Sequence, residues 1–154
     1  MRKLPRMSSP LENGTTGRRV RVSPRPIDTG ALITEVTGAE SGAIALFLGT
    51  VRDHSPGREG ITHLEYEAYQ TQVEAKIEEV VKEADSRWQI NRMVVEHRVG
   101  RVDLTEISVA VAVACGHREE AFAAARYLID ELKARAPIWK KEVWPEGEAW
   151  SPGA

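Results

Sequence analysis

Apolar residues recur along this chain at two spacings, and the switches between them lay out a mixed order of elements. Val20 and Val22 alternate with arginines over about 19–25, which predicts a short edge-like strand where ordered structure begins. Asp28 stands where it can cap a short helix running to about Thr37, with Gly38 as its stop. Residues 42–51, GAIALFLGTV, form an almost unbroken apolar run of the kind a buried strand requires. The polar, turn-rich DHSPGREG of 53–60 follows and predicts a mobile loop. A loose alternation through Ile61, Leu64, Tyr66 and Ala68 then predicts another strand.

From Thr71 the period changes. Val73, Ile77, Val80, Ala84 and Trp88 make one stripe at helical spacing, and Thr71-x-x-Glu74 has the form of a capping box. Residues 92–99 and 106–115 return to strand character. In the second, Ile107, Val109, Val111, Val113 and Cys115 share one face, and Ser108, Ala110, Ala112 and Ala114 the other. A bulky face opposite a small one predicts a side-chain layer on one side and a closely packed helix on the other. Residues 117–134 read as an amphipathic helix with Ala121, Phe122, Ala125, Leu128, Ile129 and Leu132 inward, stopped by Pro137. Residues 138–144 complete the order β-α-β-β-α-β-β-α-β. Adjacent strands stand too close for crossover helices, which favours an α+β fold with a mixed, largely antiparallel sheet and two main helices packed on it.

Composition changes this picture little. The chain has 154 residues, 42% of them hydrophobic and 29% charged, as an ordinary globular domain does. No apolar stretch approaches the roughly 20 residues of a membrane helix. One cysteine, Cys115, excludes an internal disulfide and suits a reducing cytoplasm. Charge is more telling: residues 1–26 carry seven Lys/Arg against Glu12 alone, so they hold +6 and the remainder −8 of the net −2. We read 1–26 as a basic, solvated and disordered tail, lacking the apolar run of a signal peptide, and 27–154 as the functional domain. No internal repeat is present.

Candidate chemistry is sparse. There is no GxGxxG or P-loop, and the four histidines show no pairwise metal spacing, so neither nucleotide nor metal is expected. Cys115 and His117 lie two apart across a strand end, where they rarely face each other. Cys115 therefore reads as buried and structural. The cations say more. Lys133 falls at the edge of the apolar stripe beside Ile129 and Phe122, where desolvation and neighbouring charge would lower its proton affinity, although a snorkelling lysine would look the same. Lys140 and Lys141 alternate across a strand, so at most one shares a pocket with Lys133. His117 and Arg118 open a helix whose free N–H groups favour an anion, with Glu119 and Glu120 serving equally as plain capping. Arg52 follows the buried strand. By residues alone this is an anion-binding α+β domain, and an RNA-binding module stays open, without the aromatic-rich strand such modules use.

The stretches GAIALFLGTVRDH (42–54), LEYEAY (64–69), EHRVGRV (96–102), CGHREEAFAAARYLIDELKARAPIWKKE (115–142) and PEGEAW (145–150) resemble the molybdopterin synthase large-subunit family, MoaE, in order and over about residues 27–150. The resemblance implies an α/β-hammerhead-like fold and a cytoplasmic sulfurtransferase of molybdenum cofactor biosynthesis, needing no metal or organic cofactor. It implies a small ubiquitin-like partner whose C-terminal Gly-Gly thiocarboxylate supplies sulfur, and cyclic pyranopterin monophosphate as substrate. Lys133 and Lys140 match the family's key lysines. Arg52, His117 and Arg118 match its substrate-binding cations, and Phe47 and Ile129 its pocket lining. Thr50, Val51, Lys141 and Glu142 belong to the same binding segments. Relatives often carry a further arginine after the PEGxxW segment, and here that segment is followed by SPGA, so either Arg101, Arg135 or another residue substitutes or phosphate affinity is weaker. At 1.5 Å per residue, the 15 positions between Arg118 and Lys133 span about 22 Å. If both serve one small substrate they must come from different copies, so a site shared across a homodimer is expected. The resemblance points the same way and implies a heterotetramer, with one small subunit at each end of that dimer.

Overall fold

The computed structural model describes residues 17–152. From the N-terminal side its elements are β1 (Arg18–Ser23), α1 (Thr29–Val36), β2 (Ala43–Thr50), β3 (His54–Ser55), β4 (Arg58–Glu59) and β5 (His63–Ala68). They continue with α2 (Val73–Arg87), β6 (Ile90–Arg98), β7 (Gly100–Asp103), β8 (Ile107–Cys115), α3 (Arg118–Arg135), β9 (Ile138–Trp144) and β10 (Gly147–Pro152). One four-stranded sheet runs β1-β6-β8-β2, a second runs β10-β9-β5-β7, and β3-β4 is a separate hairpin. Among the described residues β1 against β6 is parallel and the other pairings are antiparallel. The fold is thus mixed α+β, as expected, with its strands divided between two sheets.

The two faces of β8 divide the core as their side chains predict. Val109, Val111, Val113 and Cys115 pack with Ile77, Val80 and Ala84 of α2 and Ala121, Leu128 and Leu132 of α3. Ala110, Ala112 and Ala114, too small to fill a thick layer, let Leu32 and Val36 of α1 come down onto the sheet. The larger core also takes in Leu64, Tyr66, Val102 and Ile138, so the second sheet shares the core of the first. Each fully buried Leu, Ile or Val contributes about 1.5–3 kcal/mol through loss of water contact.

Several expectations need correction. The capping box does not form: α2 starts at Val73 behind Gln72, which makes no side-chain cap. The amides of Gln72 and Val73 instead both reach the Tyr69 carbonyl at 3.0 Å, so a backbone turn does the capping. Phe122, predicted inward, is 68% exposed, because Ala121, Ala124 and Ala125 hold the buried side of α3. The loop of 53–60 contains the β3–β4 hairpin. Two further strands, β7 and β10, escape a periodic reading because they are short and largely polar. β1 falls within the stretch read as a tail and hydrogen-bonds along β6; residues 1–16 lie outside those described.

Candidate active site

Between β2 and α3 lies a groove of about 660 Å³. Phe47 and Leu46 line it from β2, and Phe122, Ile129 and Lys133 from α3. Three of these are legible as one patch: positions 122, 129 and 133 fall on the same side of a helix at 100° per residue. Phe122 does not enter the core because it forms this wall.

Lys140 enters from β9. Strand alternation puts it on the inward face with Ile138 and Glu142, opposite Tyr66 in the register with β5. Burial draws its proton affinity below that of an ordinary lysine. The Glu142 carboxylate opposes this, and the charges of Lys133 and Arg52 reinforce it. Two cations from separate parts of the chain thus act on Lys140, and one of them, Lys133, lines the apolar groove. Such an arrangement suits a flat anion with apolar surface, and a partly desolvated ammonium there can hold or release a proton.

Close to them lies a set of buried polar groups that sequence reasoning passed over. Tyr66 and His97 meet ring edge to face, with centroids 5.0 Å apart. Burial pushes the Tyr66 hydroxyl up in pKa, while a bond with the Ser108 hydroxyl pulls it down. The His97 Nδ1 lies 2.8 Å from the Arg98 carbonyl and donates to it. Its Nε2 is buried and has no partner. Burial lowers the His97 pKa to about 4; the Arg98 carbonyl opposes this and the Lys133 charge adds to it. The ring is neutral at physiological pH. No signal in the sequence separates these residues from ordinary core positions except their place on inward faces of β5, β6 and β8.

Glu142 is only 6% exposed and has a structural task. Its Oε2 accepts from the Ser55 hydroxyl at 2.6 Å and lies 3.5 Å from the Arg58 guanidinium. Arg58 in turn stacks over the Trp144 ring at 3.8 Å. Lys141 faces the other way, between the carboxylates of Glu65 at 2.6 Å and Glu148 at 3.2 Å. Those bonds raise its pKa, and they hold it away from Lys133.

Thr50 is exposed at the end of β2, after a register shift between Gly49 and Thr50. Val51 is 3% exposed within the core. Its amide donates to the Glu106 carbonyl and its carbonyl accepts from Thr105, so it anchors the chain from which Arg52 projects. His117 and Arg118 are exposed at the far end of α3, and His117 makes no side-chain cap. Most of the 18-residue helix lies between them and Lys133, which stands in its last turn. Arg135 bonds Glu83 and Glu131, and Arg101 bonds Asp103, so both candidate substitute cations already face carboxylates. Cys115 is fully buried and burial raises its pKa, which leaves it no part in nucleophilic chemistry. Among the described residues, no group of three or more His, Cys, Asp or Glu is placed to hold a metal.

Residues 22–135 match the family described as MoaE protein. The chain belongs to this family. It is 38% identical over 135 residues to a protein named molybdopterin synthase catalytic subunit from Halalkalibacterium halodurans, covering 88% of this chain and 86% of that one. A protein of the same name from Thermoplasma volcanium is 41% identical, covering 83% of this chain and 93% of its own. The crystal structure of molybdopterin synthase from Staphylococcus aureus superimposes with a TM-score of 0.79 at 33% identity, over 84% of this chain and 94% of the other. No helix among the described residues is long and apolar enough to cross a membrane.

Proposed function

We propose that this MoaE-family chain is the catalytic subunit of a cytoplasmic molybdopterin synthase. It moves sulfur from the thiocarboxylated C-terminus of a small ubiquitin-like carrier to cyclic pyranopterin monophosphate, producing the dithiolene of molybdopterin. The observation that carries this reading is that the charges of Lys133 and Arg52 both reach the half-buried Lys140, with Lys133 itself lining an apolar groove.

Substrate and sulfur donor are both anions, and fixed cations at a water-poor surface bring them together more effectively than water does. Lys133, standing against Ile129 and Phe47, is the proton-transfer group or the group that holds the reacting intermediate. Lys140 stabilises negative charge that develops on the thiocarboxylate or the pterin. Arg52 assists with the phosphate. The carrier brings the nucleophilic sulfur, so a buried Cys115 is consistent with the chemistry. His117 and Arg118 stand about 22 Å along the helix from Lys133 and serve a second copy's groove. The site is then shared across a homodimer, which with two carriers gives a heterotetramer.

The test is reconstitution with thiocarboxylated carrier and cyclic pterin phosphate, following dithiolene product. Wild type should turn over, and Lys133→Ala and Lys140→Ala should lose nearly all activity. Full activity in both variants would refute the assignment. Mixing Lys133→Ala with Arg118→Ala chains should restore part of the activity; no rescue would rule out the shared site.

A further inference from the structure

Lys140 has fixed neighbours on both sides within its sheet. It lies directly opposite Tyr66 in the register of β5 and β9, and directly opposite Ser151 in the register of β9 and β10. We propose that Tyr66 is a positioning residue for Lys140: its ring packs along the lysine stem, excludes water from that side and fixes where the ammonium emerges. Its importance for turnover rests on the function proposed above; the packing itself does not.

Three observations carry the inference. First, directly opposite residues of an antiparallel pair share one face, with Cβ atoms about 4.5–5.5 Å apart, well within reach of an aromatic ring. That face is the interior one, since Tyr66 is 5% exposed and Ile138 and Glu142, which flank Lys140 on it, are buried. Second, the Tyr66 ring is held in place. The fully buried His97 meets it at 72° with centroids 5.0 Å apart. Third, the ring leaves its other neighbour uncovered. On the β7 side Tyr66 faces Gly100, and nothing lies within 4 Å of where a Gly100 Cβ would stand. Toward β9, by contrast, the Glu142 charge reaches the Tyr66 hydroxyl.

Ser151, the neighbour on β10, is too short to cover a four-carbon stem, whereas a tyrosine ring can. Burial is the leading reason that Lys140 holds its proton less tightly than an ordinary lysine. Glu142, itself bound by Arg58, works against this, and Lys133 and Arg52 work with it. His97, behind the ring, is neutral at physiological pH. Removing the ring at position 66 leaves all these groups in place and changes only the solvent around the stem.

The first test is made on the whole chain with labelled tyrosine and lysine, the Lys140 signals being assigned by their loss in Lys140→Met. Nuclear Overhauser contacts should join the Tyr66 ring protons to the Lys140 methylenes, and their absence overturns the proposal. The second test follows the titration of Lys140. Tyr66→Phe should titrate as wild type does, and Tyr66→Ala should titrate higher, toward an ordinary lysine. No upward move in Tyr66→Ala overturns the proposal. The third is turnover with thiocarboxylated carrier and cyclic pterin phosphate. Tyr66→Ala should lower kcat about tenfold with little change in KM for the pterin, and Tyr66→Phe, which keeps the ring, should recover most of it. Equal losses in the two variants would refute a role for the ring. If Tyr66→Ala does not fold, the wild-type contacts still decide. If wild type makes no dithiolene, the proposed function fails while those contacts report on the packing.

Discussion

Ser55 and Glu142 are 87 positions apart in sequence, and the Ser55 hydroxyl donates to the Glu142 carboxylate at 2.6 Å. One bond thus ties a two-strand hairpin to the strand that carries Lys140. With Arg58 lying 3.5 Å from the same carboxylate and stacked on Trp144, the hairpin is held from three directions. Arg52 leads directly into that hairpin.

Glu142→Ala should release it. The change removes a buried acceptor and leaves Arg58 and Ser55 without their partner, at a cost of about 1–3 kcal/mol. Amide exchange across residues 54–59 should accelerate strongly while β8 stays protected, and turnover should fall. Unchanged exchange in the hairpin would show that Arg58 on Trp144 suffices.

Adjacent lysines should behave unequally. Lys140→Met should remove nearly all sulfur transfer. Lys141→Met should retain at least about a third of it, since that charge is spent on Glu65 and Glu148 across the sheet and exposed pairs contribute about 0–1 kcal/mol each. Comparable losses in the two variants, measured as initial rates of dithiolene formation, would place Lys141 in the site.

Stability should fall as the medium is acidified below pH 6.5. His97 has a folded pKa of about 4 against 6.5 for the free side chain, so the unfolded chain binds the proton first. The contribution is complete above 6.5 and is lost as pH drops toward 4, about 3 kcal/mol in all. Urea unfolding of wild type and His97→Gln at pH 7, 5.5 and 4 checks this, because the variant should lack that portion of the slope.

Between the helices, the Arg135 and Tyr127 side chains hold the Glu83 carboxylate down to a pKa of about 2, against 4.5 normally. This support is present above pH 4.5 and disappears as pH falls through 2. Glu83→Gln should therefore melt below wild type at pH 7, with the gap closing near pH 2. A gap independent of pH would mean that packing, not charge, is responsible.

A tighter constraint sits at the β2 register shift. A Cβ on Gly49 would come within 2.6 Å of Val109 Cγ1, on a strand packed on both faces. Gly49→Ala should cost about 1–3 kcal/mol and, by displacing the residues that follow, weaken substrate binding through Arg52. Thermal melts and KM for the pterin test both halves.

The alternation of β8 announces its own surroundings, because valines and alanines of different volume demand layers of different thickness. Lys133 is also visible, since helical periodicity alone puts it with Ile129 and Phe122. Other features are not. Phe122 is as apolar as its inward neighbours, and only the small residues packed beside it decide that it faces the groove. The hairpin of 54–59 reads as loop because its strands are two residues each and its anchor, Glu142, lies on a distant strand. His97 looks like any residue of an apolar strand; only burial and an empty ring nitrogen set it apart. Long-range partners of polar residues leave no trace in local periodicity.

Helix α3 also acts as a ruler. It fixes both the spacing and the relative azimuth of the ends that carry Arg118 and Lys133, so inserting a single residue in its middle would swing one end by about 100° and advance it by about 1.5 Å. Length variation among related chains should accordingly avoid this helix and gather in the turns outside it, where the added residues leave the span from Arg118 to Lys133 untouched.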